Sequence, residues 1–190
     1  MADRSPYVAF LRAVNVGGRA AEGLHADRAV EGAGCSDVRT VLNSGNVVFR
    51  TEERDARKVE RRLESACARP LGLDLEFMVR DRASLDAAIT ANPFPEFARR
   101  DPGHLLVIFL KSEPSTRDAT RFSGGLDGPE EGRVLGAQAY VTYPGGIGRP
   151  RLTLPRIEGA LGMRGTGRNW NTVLRLGALA RTTSVAGEGG

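Results

Sequence analysis

The sequence predicts an α+β fold made of two halves packed together, each an antiparallel sheet with its helices on one face. Three observations carry this. Short β-branched and aromatic runs alternate with segments of helical period in the order β-α-β-β-α-β over residues 1–81. Asn43-Ser44-Gly45-Asn46 separates two such runs, a strong signal for a hairpin and hence for antiparallel pairing. From residue 82 the order β-α-β-β-α follows, which suggests an internal structural duplication. A chain of 190 residues, 41% of them hydrophobic, suits one large domain or two small packed halves and buries roughly 70% of its unfolded surface on folding. Neither a disulfide nor a metal is needed to hold such a core.

Each element has its own local cause. Tyr7 to Val14 is a buried strand through Val8-Ala9-Phe10-Leu11, followed by the glycine pair Gly17-Gly18. Leu24, Ala26, Ala29 and Val30 give helical spacing over residues 23–33, closed by Gly32 and Gly34. Val38 to Leu42 and Val47 to Phe49 are the hairpin strands. A charged helix over Asp55 to Arg69 places Val59, Leu63, Ala66 and Cys67 on one face and is stopped by Pro70 and Gly72. Leu73, Leu75, Phe77 and Val79 then alternate with Asp74, Glu76 and Arg80, as a half-buried strand does. This order is the ferredoxin-like split unit.

In the second half a helix over Arg82 to Ala91 is opened by Asp81 as a cap and stopped by Asn92-Pro93-Phe94-Pro95, a rigid turn whose Phe94 enters the core. Leu105 to Leu110 is a strand, Pro114 to Phe122 a short helix, and Arg133-Val134-Leu135 pairs with the run Ala139 to Tyr143 as a second hairpin. Helices near 151–161 and 168–181 close the chain, so the last strand of the first half is replaced here by a helix. The expected division is a first ferredoxin-like subdomain at 1–81, a second with the C-terminal helix at 82–182, and a disordered tail at 183–190.

Composition narrows the function classes. Basic residues number 27 against 23 acidic, giving a formal charge of +4. Residues 149–181 hold seven Arg against the single Glu158, so the positive field belongs to the C-terminal part and is suited to phosphate-bearing ligands or nucleic acid, or to a solvated helix face. Two cysteines and two histidines without short spacing argue against a zinc site or a disulfide framework. The longest apolar run, Leu105 to Leu110, is six residues, far below the roughly 20 that span a bilayer. The expectation is a cytoplasmic protein with no membrane segment, no metal and no cofactor.

The strand order implied by the split unit makes one functional inference possible. With order 4-1-3-2, the end of strand one, the end of strand two and the start of strand three share one edge. That edge collects Asn15, Gly17 and Gly18 from the first loop, Asn43 and Ser44 from the hairpin, and Asn46 from its exit. These converge beside the start of the first helix, where unpaired backbone N–H groups favour an anion. The same residue types are also the ordinary chemistry of tight turns. The glycines give G-G-x-x-x-x-G, which matches neither a dinucleotide fingerprint nor a P-loop, and G-x-S-x-G is absent.

A second segment runs Thr166-Gly167-Arg168-Asn169-Trp170-Asn171-Thr172-Val173-Leu174. Thr166 is read as a helix cap with Trp170, Val173, Leu174 and Gly177 on one face. Arg168 then lies in the first turn, where a cation is disfavoured, and so points to an anionic partner, whether an internal carboxylate or a ligand. Tyr143-Pro144-Gly145-Gly146-Ile147-Gly148-Arg149 is either an anion-binding loop feeding Arg149 and Arg151 or a flexible connection.

Taken together, Leu11-Arg12-Ala13-Val14-Asn15-Val16-Gly17-Gly18, the stretches Val38-Arg39-Thr40 and Ser44-Gly45-Asn46-Val47-Val48-Phe49, then Asn92-Pro93-Phe94, Tyr143-Pro144 and Thr166 to Val173 make the chain resemble a bacterial family of uncharacterised conserved proteins, the domain of unknown function 1697 family. The resemblance runs from residue 7 to about 180. It implies two intertwined ferredoxin-like halves and brings no activity, cofactor or catalytic residue. Where family members usually carry Lys after the glycine pair, this chain has Arg19-Ala20-Ala21.

The functional expectation is a binding module for an anionic ligand, either a nucleic acid or a phosphate-bearing metabolite. Its site residues are Arg12, Asn15, Gly17, Gly18, Asn43, Ser44 and Asn46, with Arg168, Asn169 and Trp170 as a second segment. An aromatic fraction of 6% and a single ring in Val47-Val48-Phe49 count against base stacking on the sheet. The competing classes are an enzyme in which Arg12 or Arg168 grips a small anionic substrate, and a structural or oligomerisation module.

Overall fold

The computed structural model describes residues 4–13, 26–41, 45–71, 75–126, 128–148 and 150–185. The first half runs β1 (Ser5–Ala13), α1 (Ala26–Gly32), β2 (Ser36–Val41), β3 (Asn46–Thr51), α2 (Ala56–Leu71) and β4 (Leu75–Asp81). It continues through α3 (Arg82–Thr90), α4 (Pro95–Arg100) and a single 3-10 turn (Pro102–His104) into β5 (Leu105–Leu110), α5 (Thr116–Gly124), β6 (Glu131–Leu135), β7 (Gln138–Thr142), α6 (Leu154–Leu161), β8 (Gly165–Asn169) and α7 (Trp170–Val185). Two four-stranded sheets result, ordered β2-β3-β1-β4 and β6-β7-β5-β8, with antiparallel pairing throughout. The α+β fold of two ferredoxin-like halves is therefore the one present.

Alternation along β1 explains why its run is apolar at every position. Tyr7, Ala9 and Leu11 join Val30 of α1 and Val59 and Leu63 of α2 in one core. The intervening Val8 and Phe10 are fully buried as well. A strand that is buried on both faces loses the polar half of its pattern. The second sheet repeats the plan, with Ile108, Leu110, Ala139 and Val141 packed with Phe122 of α5 and Ile157 and Leu161 of α6.

Outer strands need partners for their unpaired N–H groups, and both sheets supply them from a helix. Glu60 and Glu64 of α2 accept from the N–H groups of Val79 and Phe77 on β4, at 2.9 and 3.0 Å. Glu158 of α6 accepts from the N–H of Gly165 on β8 at 2.9 Å. The free edge of β2 is blunted differently, by a register shift between Ser36 and Arg39 and by Asp37 at a φ of 52°.

The main departure from the sequence reading is β8, which completes a second β-α-β-β-α-β unit where a helix was expected. Gly165-Thr166-Gly167-Arg168-Asn169 has poor strand propensity, and pairing to β5 decides its conformation. Asn169, not Thr166, caps the following helix, its Oδ1 accepting from the Thr172 N–H at 2.9 Å. Arg168 consequently sits in a strand. On α7, Trp170, Val173, Leu176 and Ala180 are buried while Leu174 is 40% exposed.

Smaller differences have equally local causes. Phe94 does not enter the core: it is half-buried as the residue preceding α4, with the Arg133 guanidinium 5.9 Å from its ring centre. α2 continues through Pro70 to Leu71. Asp81 does cap α3, accepting from the Ser84 N–H at 2.7 Å. The chain forms two compact units, residues 1–86 with 176–190, and residues 87–175. The second half of α7 thus groups with the first unit, and the helix extends through a buried Thr183 to Val185.

Candidate functional site

Of the residues expected at the loop edge of the first sheet, Asn15, Gly17, Gly18, Asn43 and Ser44 lie outside the described residues. The other two have structural partners. Arg12 faces Glu76 across β1 and β4, with Nη1 at 3.2 Å from Oε2 and both side chains about four-fifths buried. Asn46 is fully buried and donates from Nδ2 to the carbonyl of Val41 at 3.1 Å, closing the hairpin from within. Between the two, Gly45 holds a φ of 70°, and a Cβ there would stand 2.9 Å from the Leu11 Cβ. This position admits glycine alone without strain.

Arg168 is 8% exposed, and its Nη1 donates to the Thr166 hydroxyl at 2.7 Å and to the Gly167 carbonyl at 2.8 Å. Burial lowers its pKa to about 10, so it is charged at neutral pH. Its counterpart in the first half is Arg80: Val8 pairs with Arg80 as Val107 pairs with Arg168, and both arginines are buried. The shared register explains a buried cation in each half as a property of the repeated fold. Asn169 is occupied as a cap, and Trp170 is 7% exposed. The expected first-turn cation is thus absent from α7.

The opposite end of the first sheet carries a site that the sequence reading missed. There the start of β1, the end of β3 and the junction of β4 with α3 meet around a recess of about 370 Å³. Its charged lining is Arg4, Arg50, Arg54 and Arg82 against Asp81 alone. Arg50 braces the wall, donating from Nε to the Arg4 carbonyl at 2.9 Å and from Nη1 to the Thr183 carbonyl at 3.0 Å. Arg4 reaches Glu52 at 3.3 Å, a solvent-exposed pair of the kind worth about 0–1 kcal/mol. Arg54 and Arg82 are exposed.

Nearby carboxylates are engaged in local structure. Asp81 caps α3, Glu53 accepts from the Asp55 N–H at 3.0 Å, and Asp55 accepts from the Arg57 N–H at 2.9 Å at the start of α2. Burial, reinforced by Asp81, Glu53 and Asp55, raises the pKa of Tyr7 in the recess wall, which keeps its hydroxyl neutral. Four arginines around a concave space with one carboxylate in the lining match the geometry of an anion site. The signal was available in the sequence, because the same strand-order argument applied to the other sheet edge gathers Arg4, Arg50, Arg54 and Arg82.

Among the described residues no group of three His, Cys, Asp or Glu side chains is placed to hold a metal ion. No helix among them is long and apolar enough to cross a membrane. Cys35 is a buried free thiol whose pKa is raised by burial, the opposite of what an activated nucleophile needs.

Comparison with known proteins supports the architecture. A conserved bacterial protein from Streptococcus pneumoniae has a similar solved structure, with a TM-score of 0.68 and 17% identity over 94% of this chain and 99% of that one. A search of curated proteins finds no match. The profile described as protein of unknown function (DUF1697) matches residues 5–140, well over half of the sequence, and the chain therefore belongs to that family.

Proposed function

We propose that this protein is a cytoplasmic binding module for an anionic ligand, and that the ligand is a phosphate-bearing small molecule held in the arginine recess of the first unit. The observation that carries this is a recess of about 370 Å³ lined by Arg4, Arg50, Arg54 and Arg82, a volume within the range of small-molecule sites. Arg54 and Arg82 are exposed there, while Arg50 braces the wall through backbone carbonyls. A small ligand is favoured over a nucleic acid because the sheet offers no stacking platform: Tyr7, Phe10, Phe49 and Phe77 are all buried. Binding is favoured over catalysis because Asp81, the carboxylate in the lining, is engaged as the cap of α3. The buried, reduced Cys35 fits a cytoplasmic setting.

The test is a thermal-shift and calorimetric titration with inorganic pyrophosphate, alongside fluorescence anisotropy with a labelled single-stranded RNA at low and physiological salt. Pyrophosphate is expected to bind saturably and to raise the melting temperature, since a ligand at 100 times its Kd adds about 2.7 kcal/mol of stability. Arg82→Ala, at an exposed position, weakens this about tenfold or more. Absence of any pyrophosphate effect at about 10 mM, a thousandfold above a Kd near 10 µM, refutes the proposal. Steeply salt-dependent RNA binding without pyrophosphate binding replaces it with the polymer reading.

A further inference from the structure

A second recess, of about 410 Å³, lies in the unit of residues 87–175 and shares no lining residue with the arginine recess. We propose that it binds a small aromatic acid, with the ring against an apolar wall and the carboxylate at Arg99. The wall is built from Ile89 at the end of α3, Pro95 and Ala98 of α4, Pro102, and Trp170 and Leu174 of α7. Leu174 is 40% exposed, and the recess is where that apolar surface faces. Covering it removes apolar area from water, and a volume of 300–1,000 Å³ with mostly apolar walls and a few polar groups is what small-ligand sites present.

The polar groups decide the ligand's chemistry. Arg99 stands at the rim, and its partner is the neighbouring Glu96 one helical turn away, with side chains 70% and 83% exposed. So exposed a pair is weak, and a ligand carboxylate presented to the planar guanidinium competes well because it forms the paired hydrogen bonds that geometry favours. The start of α7 is not the anion site, because Asn169 already accepts from the Thr172 N–H. Asp101, the next carboxylate along, pairs with His104 at 2.8 Å. The recess thus sets one cation at the mouth of a largely apolar wall, with the neutral Thr90, Asn92 and Asn171 also in its lining, a combination that selects a planar apolar body carrying one negative charge over an inorganic phosphate.

Trp170 is the single tryptophan of the chain, so in isotopically enriched protein its indole N–H gives one cross-peak in a nitrogen–proton correlation spectrum and reports from the recess without an attached dye. Phenylacetate, acetate, benzyl alcohol and pyrophosphate are titrated separately against the full-length protein. Phenylacetate is expected to move the indole cross-peak saturably, while acetate, which lacks the ring, benzyl alcohol, which lacks the charge, and pyrophosphate do not do so in the same range. Arg99→Gln is expected to weaken phenylacetate about tenfold, and Leu174→Ser, also at an exposed position, to weaken it similarly, with the dispersed spectrum of the folded chain retained in both. No saturable shift with phenylacetate, or equal binding of benzyl alcohol, overturns the proposal. Because pyrophosphate is read separately, failure here leaves the arginine recess unaffected, and failure there leaves this one unaffected.

Discussion

Gly165 offers a sharp test of whether β8 is held by its fit to β5. A Cβ added there would meet the Ile108 Cγ2 at 2.8 Å, the Leu110 Cδ2 at 3.0 Å and the Phe109 carbonyl oxygen at 3.0 Å. Ile108 and Leu110 are at most 1% exposed, so neither side chain has room to retreat, and the carbonyl belongs to the neighbouring strand. Gly165→Ala has a gain to set against this, since restricting the unfolded chain contributes about 0.4–1 kcal/mol. Overpacking a close-packed site costs about 1–3 kcal/mol, and here two of the three obstructing groups are immobile side chains and the third is backbone. The steric term wins, leaving a net loss of about 1–2 kcal/mol. Gly159→Ala is the matched control: it is an exposed position inside α6 with nothing within 4 Å of the added carbon, where the same substitution gains about 0.5–1 kcal/mol. Urea denaturation of the three proteins should order the midpoints as Gly159→Ala above the parent above Gly165→Ala. A Gly165→Ala protein as stable as the parent refutes the claim that close approach to β5 requires glycine.

Two further predictions concern buried polar side chains, Tyr140 and Glu60. Tyr140 is fully buried with its hydroxyl donating to the Ala88 carbonyl at 2.6 Å, and burial pushes its pKa, like that of Tyr143, up to about 12. A raised phenol pKa means that the folded state retains a proton the unfolded chain releases, so this stability is present below pH 10 and is lost as the pH rises from 10 to 12. For Tyr140 the loss is roughly 3 kcal/mol. Arg168, lowered to about 10 from 12.5, and Arg80, also lowered by burial, work in the opposite sense, while Tyr7, raised by burial, adds to the two tyrosines. Comparison with Tyr140→Phe isolates the one phenol: between pH 10 and 12 the parent should lose more stability with rising pH than Tyr140→Phe does; equal slopes in the two proteins contradict the assignment. Glu60→Ala leaves the Val79 N–H of β4 without its 2.9 Å acceptor and should cost about 1–3 kcal/mol, with faster hydrogen exchange at the Val79 amide as the local readout; unchanged exchange there rules out the carboxylate as its cap.

How much of this was legible in sequence depends on where each signal resides. β1 announces itself because both faces are buried, and the hairpin because Gly45 and Asn46 are both needed at its exit. β8 is silent because only Thr166 among its five residues favours a strand, the information lying in β5, which pairs with it. α4 is different: Pro95 at its start, Glu96 in the first turn and Arg99 and Arg100 in the last are all proper helix signals, masked by the two prolines that read as a turn. Placing Arg168 in a helix followed from missing β8, and with it went the inference that a cation at a helix start needs an anionic partner. The arginine recess rests on no local pattern, since its four cations come from separate segments of the first half that only the sheet order unites.

The carboxylates along β4 and β8 have a consequence for behaviour in crowded solution. A sheet extends into a fibre by donating and accepting backbone hydrogen bonds at a bare margin. Here one margin of each sheet is already shielded, by Glu60 and Glu64 in the first and Glu158 in the second. Growth of the first sheet is left to β2, where the irregular step between Ser36 and Arg39 interrupts the ladder and would break the alignment of an incoming strand. Cross-β growth from the first sheet should therefore be absent in concentrated preparations of the native chain, and charge-removing substitutions at Glu60 and Glu64 are the changes that would open a path to it.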